Sequence, residues 1–325
     1  MRGIVTVTPS AAIDQTYHLD SLKLGDVNRA ASVNTELSGK GVNVARALAL
    51  SGTPVSAVLP LGPDADIFAE HPDFAGMLAV VPGMQRTRVN TTLLDASGVT
   101  TKINENSIPL EPAMWVQLER LTEYECERID AGWLVISGSF PAVAGRMELV
   151  DITGLLSMAR ARGTRVAVDT AGDALRSALS HLDLISLLKP NTHELAEVTG
   201  RRLDTVGDVV FAAEELQSAG CETVYVSMGA DGALAVTADS VWHAIARATV
   251  VNTTGAGDAS LAGFLVGATA RGGLDVPAGL ALAASWGALS VSQSTTLLSG
   301  VDAAPPAVLV ENPDLMMPLS EPALP

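Results

Sequence analysis

Residues 206–227 read VGDVVFAAEELQSAGCETVYVS, and the order of elements within this stretch indicates the fold class. Apolar residues from Val206 to Ala219 recur with helical spacing, and Gly220 follows where a helix C-cap is expected. The next residues, Thr223–Ser227, form a short apolar run that is typical of a buried strand. A helix that leads at once into a buried strand is the repeating unit of a parallel sheet.

The same order of elements extends in both directions along the chain. Further helices that end at a glycine are predicted at 42–50 and at 144–162, and further strands at short apolar runs. Because strands and helices alternate, we predict an α/β fold with a mostly parallel central sheet and helices on both faces. The other predicted strands are Ile4–Thr8, Val55–Leu61, Trp133–Ser137, Val166–Asp169, Leu184–Leu188 and Ala233–Thr237.

Two regions interrupt the alternation of strands and helices. Residues about 12–36 and 86–106 alternate polar and apolar side chains, and 95–98 have the composition of a turn. These regions predict a small antiparallel sheet outside the main one, within a domain that covers residues 1–302. Residues 303–325 hold six of the 17 prolines and are expected to form an extended, partly mobile tail.

The composition excludes several classes of function. The 325 residues are 48% hydrophobic and carry a formal net charge of −16, which disfavours a broad surface for nucleic acid or anionic lipid. The first residues lack the apolar region of a signal peptide, and no apolar run is long enough to span a membrane, so a cytoplasmic protein is expected. Cys126 and Cys221 lack zinc-site spacing and are interpreted as structural thiols. The five histidines lack metal-ligand spacing, and the G-x-S-x-G motif of serine hydrolases is absent.

The strongest local signal is the stretch VNTTGAGDASLAGF at 251–264. Gly255 and Gly257 permit a tight turn whose N–H groups converge, and the apolar run from Ala259 predicts a helix that starts there. Together they predict an anion-binding turn with the carboxylate of Asp258 at its mouth. Asp258 is either a helix cap or a catalytic group.

A second glycine turn, SGKGVNVAR at 38–46, also precedes a predicted helix. Glycine allows a ligand to approach the backbone, the helix N-terminus favours an anion, and Lys40 adds a positive charge. The alternative is an ordinary turn with a solvated lysine. The stretch does not match the Walker A pattern.

Two further stretches have both a structural and a functional interpretation. In KPNTHEL at 189–195, Asn191 and Glu194 could form a capping box, or could order water around Mg²⁺ and phosphate. In SMGADGA at 227–233, a glycine turn joins two predicted strands. It is either a plain hairpin or one wall of a nucleotide pocket.

Taken in order, these stretches resemble the ribokinase-like (PfkB) family of carbohydrate kinases from about residue 6 to residue 302. Within that family, the lysine between Gly39 and Gly41 is typical of the branch of 1-phosphofructokinase and tagatose-6-phosphate kinase. The resemblance implies a three-layer α/β/α sandwich with a small β-sheet lid. The matching stretches are 8–9 with 12–14, 39–46, 87–90, 189–195, 227–233 and 255–258.

The resemblance also implies a reaction, in which the γ-phosphoryl group of ATP passes to fructose 1-phosphate and gives fructose 1,6-bisphosphate. Asp258 is implied as the general base, with the turn of Gly255, Ala256 and Gly257 stabilising the developing charge. Asn191 and Glu194 are implied to hold Mg²⁺ through water. The implied nucleotide contacts are Lys189, Asn191, Glu194, Ser227, Gly229, Gly232, Gly255 and Gly257, and the implied sugar-phosphate contacts are Asp14, Gly39, Lys40, Asn43, Arg88 and Lys102.

The sequence does not exclude several other functions. Tagatose 6-phosphate or fructose 6-phosphate could replace fructose 1-phosphate on the same fold, and a non-catalytic sugar-phosphate-binding regulator is the alternative outside enzymes. The acidic composition predicts no nucleic acid and no membrane as partner. Lid strands with one apolar face predict a homodimer that pairs through the lid.

Overall fold

The computed structural model describes residues 2–69, 71–74, 76–270, 273–295 and 297–325. Its centre is formed by β-strands. In chain order they are β1 (Gly3–Val7), β2 (Ala12–Leu19), β3 (Ser32–Ser38), β4 (Val55–Pro60), β5 (Leu78–Val81), β6 (Arg88–Asp95), β7 (Thr100–Asn104), β8 (Ala131–Ser137), β9 (Arg165–Asp169), β10 (Leu187–Leu188), β11 (Leu203–Thr205), β12 (Thr223–Ser227), β13 (Ala233–Val236), β14 (Val241–Ala246), β15 (Ala307–Glu311) and β16 (Pro318–Ala323).

The described helices lie between these strands. In chain order they are α1 (Lys40–Leu50), α2 (Asp66–Ala69), α3 (Pro112–Arg128), α4 (Thr153–Arg162), α5 (Gly172–Ala178), α6 (Thr192–Thr199), α7 (Val206–Ser218), α8 (Ala256–Thr269) and α9 (Val276–Val291). None of them is long and apolar enough to cross a membrane.

Ten of the strands form one sheet in the spatial order β15-β14-β13-β12-β10-β9-β8-β1-β4-β5. The strands from β12 to β5 run parallel, and β13, β14 and β15 continue the sheet antiparallel. Because these strands run parallel, their carboxyl ends lie along one edge of the sheet. Thr8, Gly138, Asp169 and Lys189, which end or follow four of these strands, therefore lie along the carboxyl edge of the sheet.

Two hydrophobic cores lie on the two faces of this sheet. Alternate residues of a strand enter different cores: Val5 packs with α3, α4 and α7, whereas Ile4 packs with α1, α8 and α9. Leu134 and Trp133 of β8 divide in the same way. This alternation is the period-2 pattern of a sheet that is covered on both faces. The predicted three-layer α/β/α fold is confirmed.

A second sheet of four strands, in the order β3-β2-β6-β7, forms the predicted lid. The outer pairs are antiparallel, but the central pair of β2 and β6 is parallel, so the prediction of a purely antiparallel sheet is wrong. The reason lies in the connections. The parallel strands β1 and β5 each lead through a short loop directly into β2 and β6, so both lid strands leave the same edge in the same direction.

Two predicted elements are shorter than expected. The helix predicted from Ala144 starts at Thr153, because Gly145 takes a φ of +75° and Val143 pairs with Leu110 in an isolated β-bridge. The strand predicted at 184–188 shrinks to Leu187–Leu188, because residues 179–184 form a 3₁₀ helix.

The last 23 residues pack against the rest of the chain. Strand β15 extends the central sheet, and β16 pairs with the short strand β11. Leu319 and Ala323 of β16 are buried. The tail contains prolines and extended segments, as expected, but β15 is held by the central sheet and β16 by a separate two-stranded sheet with β11.

Both cysteines lie in the core. Burial raises the pKa of Cys126 and of Cys221 to about 12, so neither thiol forms a reactive thiolate at neutral pH. They pack as small apolar side chains.

Candidate active site

The glycine turn at 253–258 starts helix α8 at the carboxyl edge of the central sheet. Gly255 is the N-cap and has a φ of +81°, which favours glycine, and Ala256, Gly257 and Asp258 form the first helical turn. Asp258 is the third residue of the helix rather than its N-cap. Its Oδ2 accepts a hydrogen bond of 2.8 Å from the Nδ2 of Asn43 on α1. The interpretation of Asp258 as a helix cap is therefore wrong.

Burial of Asp258 makes its carboxyl group a stronger base. The pKa is raised to about 6, mainly by burial and then by the negative charge of Asp169. The hydrogen bond from Asn43 and the charges of Lys40 and Lys189 act in the opposite direction. The group is still a carboxylate at pH 7, and it accepts a proton more readily than an ordinary aspartate does.

Asp169 joins two of the lysines that the sequence singled out. Its Oδ1 accepts a hydrogen bond of 2.7 Å from Lys40 Nζ, and its Oδ2 accepts one of 3.1 Å from Lys189 Nζ. Burial acts to raise the pKa of Asp169, but the two ammonium groups outweigh it, and the pKa is lowered. Burial likewise acts to lower the pKa of Lys40, and Asp169 and Glu194 outweigh it, so that pKa is raised. Lys40 is thus an ion-paired group, and the alternative of a freely solvated lysine is wrong.

Lys189 lies against the glycine turn of α8. A Cβ atom placed on Gly257 would be 3.4 Å from Lys189 Nζ. The ammonium group and the first N–H groups of α8 therefore border the same space. A helix N-terminus beside a lysine is a favourable place for an anion such as phosphate.

The two glycines beside Lys40 have a structural role. A Cβ atom on Gly39 would lie 2.7 Å from Thr8 Cγ2, and one on Gly41 would clash with Thr8 Oγ1. Gly39 has a φ of +141° and is the N-cap of α1. Glycine at these positions lets the start of α1 approach the end of β1. This approach brings Asn43 and Lys40 to the carboxyl edge.

Lys40 and Arg88 line one cavity of about 320 Å³ at this edge. Arg88 donates to the carbonyl oxygens of Ser10 at 2.9 Å, Ala11 at 3.3 Å and Glu105 at 3.2 Å. Counting the described residues alone, these bonds use three of the five guanidinium N–H groups and leave two for a ligand. The cavity is also lined by Ser10, Gly138, Ser139, Phe140, Leu149, Ala171, Asp173 and Ala174.

The lid places Asp14 beside Asn90. These residues are register partners in β2 and β6, and Asn90 Nδ2 donates to Asp14 Oδ1 at 2.9 Å. Asn90 Oδ1 is buried and accepts no hydrogen bond from the residues that the structure describes. A buried acceptor without a partner is costly, and a ligand hydroxyl would satisfy it.

Lys102 contacts a different part of the site. Its Nζ donates a hydrogen bond of 3.1 Å to Thr254 Oγ1, next to the glycine turn of α8. This bond joins strand β7 of the lid to the main domain. Lys102 is exposed and does not line the cavity of Lys40 and Arg88.

Asn191 and Glu194 form the capping box of helix α6. Asn191 Oδ1 accepts from the Glu194 backbone N–H, and Glu194 Oε2 accepts from the Asn191 backbone N–H, both at 2.8 Å. The structural interpretation is therefore confirmed. A carboxylate has about four lone-pair positions and the box uses one, so Glu194 can also face a hydrated cation. Within the described residues, no group of three or more His, Cys, Asp or Glu side chains could hold a metal ion by itself.

The turn after β12 is a hairpin to β13. Ser227 ends β12 and pairs with Asn191 in an isolated parallel bridge, which brings this turn to α6. Gly229 to Asp231 form a 3₁₀ turn, and Gly232 follows with a φ of +87°. A side chain at Gly232 would clash with the carbonyl oxygen of Ala244. The hairpin interpretation is confirmed.

Sequence reasoning missed three parts of the site: Asp169, the side chain of Asn90, and the Gly138–Ser139 turn. Asp169 ends the predicted strand at 166–169, and an acidic residue at the carboxyl end of a buried parallel strand is a signal that could have found it. Asn90 lies in a stretch that supported the resemblance, but nothing local showed that it pairs with Asp14.

A buried carboxylate, a helix N-terminus with a lysine beside it, and a lid over a sheet edge define a small-molecule phosphotransferase of the kinase type. The chain belongs to the pfkB family of carbohydrate kinases, whose family model matches residues 7–303. Kinases of this family use ATP.

Curated relatives cover most of the chain. A 1-phosphofructokinase from Haloferax volcanii is 39% identical over 267 residues, which is 81% of this chain and 83% of the relative. A 1-phosphofructokinase from Rhodobacter capsulatus is 37% identical over 88% of this chain and 90% of the relative. Among solved structures, phosphofructokinase-2 from Escherichia coli in complex with potassium is 26% identical. It superposes with a TM-score of 0.82 and covers 93% of this chain and 96% of that one.

Proposed function

We propose that this chain phosphorylates fructose 1-phosphate with ATP and gives fructose 1,6-bisphosphate. The observation that carries the proposal is the cavity where Lys40 and Arg88 lie together at the edge that also holds Asp258. A neutral sugar gives these two cations no anion to bind. The relatives named 1-phosphofructokinase support the same substrate.

Asp258 is the general base of this proposal. Its carboxylate accepts the proton of the attacking sugar hydroxyl, and the bond from Asn43 Nδ2 holds it in place. The N–H groups of Ala256 and Gly257 stabilise the charge that develops on the transferred phosphoryl group. Lys189 adds a positive charge beside them.

The sugar phosphate has partners on both sides of the cleft. Asp14 and the free oxygen of Asn90 accept hydrogen bonds from sugar hydroxyls, and the main chain at Gly39 and the side chain of Asn43 are assigned to the same sugar. Lys40 and Arg88 bind the phosphate already on the sugar. Lys102 is bonded to Thr254 outside this cavity, so it takes no part in holding the phosphate of the sugar in this arrangement of the lid.

The nucleotide is proposed to lie along the turns at Ser227, Gly229 and Gly232 and at Gly255 and Gly257. Lys189 faces its phosphates. Asn191 and Glu194 would hold Mg²⁺ through water, and oxygen ligands of this kind suit a hard cation. When bound, the ion neutralises phosphate charge during transfer.

A 6-phosphate substrate is the second candidate. Phosphofructokinase-2 from Escherichia coli in complex with fructose-6-phosphate is 26% identical and superposes with a TM-score of 0.77 over 90% of this chain. The lysine between Gly39 and Gly41 is typical of the branch of 1-phosphofructokinase and tagatose-6-phosphate kinase, so it speaks against fructose 6-phosphate and leaves tagatose 6-phosphate as the alternative. The intact pair of Asn43 and Asp258 speaks against a non-catalytic regulator.

A coupled ADP-release assay tests the proposal. Purified protein, Mg-ATP and a panel of fructose 1-phosphate, fructose 6-phosphate, tagatose 6-phosphate, fructose and ribose are compared by kcat/KM. We expect the highest value with fructose 1-phosphate. A preference for a 6-phosphate would contradict the substrate but keep the mechanism, and no turnover with bound ATP would favour the regulator.

Lys40→Ala is expected to raise the KM for fructose 1-phosphate about 10- to 100-fold, because a charge-assisted bond to phosphate is lost. The KM for ATP should change far less. Steady-state kinetics measure both constants. Lys23→Ala, the same change at an exposed lysine, is the matched control. An unchanged KM for the sugar phosphate would remove Lys40 from the phosphate site.

The activity should also depend on pH through Asp258. The base must be ionised, so kcat/KM, corrected for ionisation of the substrates, should fall tenfold per pH unit below about 6. In Asn43→Ala the bond that lowers the pKa of Asp258 is lost, and the acid limb should move to higher pH. If the acid limb of the pH profile has the same midpoint in this variant as in the wild type, Asn43 does not control the pKa of the base.

A homodimer through the lid completes the proposal. Tyr17, Val33 and Leu93 are register partners and share the lid face opposite Asp14 and Asn90. Val33 is 47% exposed and Ile103, on the neighbouring strand, 58% exposed. A second copy would cover this apolar face. Analytical ultracentrifugation should give twice the chain mass, and a single-chain mass at micromolar concentration would contradict the dimer.

A further inference from the structure

The C-terminal segment 314–323 lies beyond the residues that the family model matches, yet it contacts the turn between β12 and β13. We propose that this segment positions the turn for nucleotide binding through the pair of Ser320 and Asp231. The inference rests on the proposed function, which puts the nucleotide along that turn. Ser320 and Asp231 are positioning residues in this proposal.

The segment has a defined place on the fold. The carbonyl oxygens of Met317 and Leu315 accept the N–H groups of Val206 and Gly207, both at 2.9 Å, at the start of α7. These are N–H groups that a helix cannot satisfy internally. Leu319 is buried beside them, so the backbone of Ser320 is held between fixed neighbours.

Ser320 holds both oxygens of the Asp231 carboxylate. Its backbone N–H donates to Oδ2 at 2.7 Å, and its Oγ donates to Oδ1 at 2.6 Å. On the other side, the carbonyl oxygen of Asp231 lies 2.7 Å from His243 Nε2 on β14. Asp231 is thus fixed from the C-terminal segment and from the central sheet at the same time.

Asp231 in turn fixes the conformation of the whole turn. Its N–H donates to the carbonyl oxygen of Met228 at 3.0 Å, and the Met228 N–H donates to the carbonyl oxygen of Gly232 at 2.8 Å. The residues that remain exposed at the tip are Gly229 and Ala230. Glycine-rich turns are flexible when unsupported, and ordering them on binding reduces affinity. A preformed turn avoids that loss for the nucleotide, whereas the sugar-phosphate cavity of Lys40 and Arg88 shares none of these bonds.

Variants at the pair test the proposal by separating the two substrates. Ser320→Ala and Asp231→Ala are each expected to raise the KM for ATP and the calorimetric Kd for Mg-ATP about three- to tenfold. The double variant should be no worse than Asp231→Ala, because both changes break one interaction. The kcat and the KM for fructose 1-phosphate should stay within about twofold of wild type.

Two controls match these variants. Ser320→Thr keeps the N–H and the hydroxyl and should restore the wild-type Kd, and Glu321→Ala alters the neighbouring exposed residue of β16 and should have no effect. An unchanged Kd in both Ser320→Ala and Asp231→Ala would overturn the inference. So would equal increases in both KM values, or the same increase in Glu321→Ala.

Calorimetry keeps this test separate from the proposed function. A wild-type protein that binds Mg-ATP but turns over no sugar phosphate would overturn the proposed function, and the Kd comparison would still decide the role of Ser320. A wild-type protein that binds no nucleotide would overturn both.

Discussion

Asp258→Asn is expected to lower kcat by about two to four orders of magnitude, the usual worth of a positioned general base. The substitution keeps the size of the side chain, and Asn43 Nδ2 can still donate to the new amide oxygen. Substrate binding should therefore survive, with similar KM values for ATP and for fructose 1-phosphate. Steady-state kinetics of the purified variant measure all three constants.

Asp239→Asn is the matched control for this substitution, since Asp239 is an exposed residue of the turn between β13 and β14. Its kinetics should equal those of the wild type. Near-normal turnover in Asp258→Asn would assign the base to another group and leave Asp258 with a structural role.

The stability of Asp258→Asn provides a second readout. The folded protein holds the proton of Asp258 more tightly than an unfolded chain does, with a pKa of about 6 against 3.8. Ionisation therefore costs stability as the pH rises through this range. The variant lacks that cost, and at pH 7.5 it should be more stable than wild type by about 1–3 kcal/mol. The difference should vanish below pH 4, and denaturant unfolding at both pH values measures it.

Asp169→Asn is expected to destabilise the fold by about 3–5 kcal/mol, the usual result of removing one partner from a buried ion pair. Asp169 is fully buried, and Lys189, with a side chain only 5% exposed, would lose its carboxylate partner. Lys40 would lose its partner as well. Urea unfolding at pH 7 measures the free energy of unfolding of the variant against that of the wild type.

The pH dependence identifies the source of this loss. The pKa of Asp169 is lowered in the folded protein, so its contribution is present above the usual aspartate range and is lost as the pH falls through the folded value. The difference between variant and wild type should therefore shrink in acid. Asp173→Asn removes the same charge from an exposed pair with Arg176 and should cost less than about 1 kcal/mol. Equal losses in the two variants would contradict the buried ion pair.

Much of the fold could be predicted because its causes are local. The spacing at 206–219 and the glycine that follows determine a helix without reference to the rest of the chain, and 223–227 determine a strand. The parallel order then follows from the alternation of such units. The helix predicted at 144–162 is too long because the backbone at Gly145, with a φ of +75°, is not helical.

Part of the site could also be predicted, because some of its residues lie in local sequence patterns. The turn of Gly255 and Gly257 is a local pattern, and it led directly to Asp258. Asp169 carries no pattern of its own. It becomes important because β9 lies next to β10 in the sheet and because α1 starts close to β1, which brings Lys189 and Lys40 to one carboxylate.

The sequence by itself therefore determined many strands and helices of the main domain, their mostly parallel order and the glycine turns of the site, since these depend on side chains a few positions apart. Only the tertiary structure decided which residues of these elements and turns meet. Asn43 reaches Asp258 across 215 positions, and Ser320 reaches Asp231 across 89. Contacts at such separations depend on how the strands are ordered in space, and the burial that raises the pKa of Asp258 exists only once they are packed.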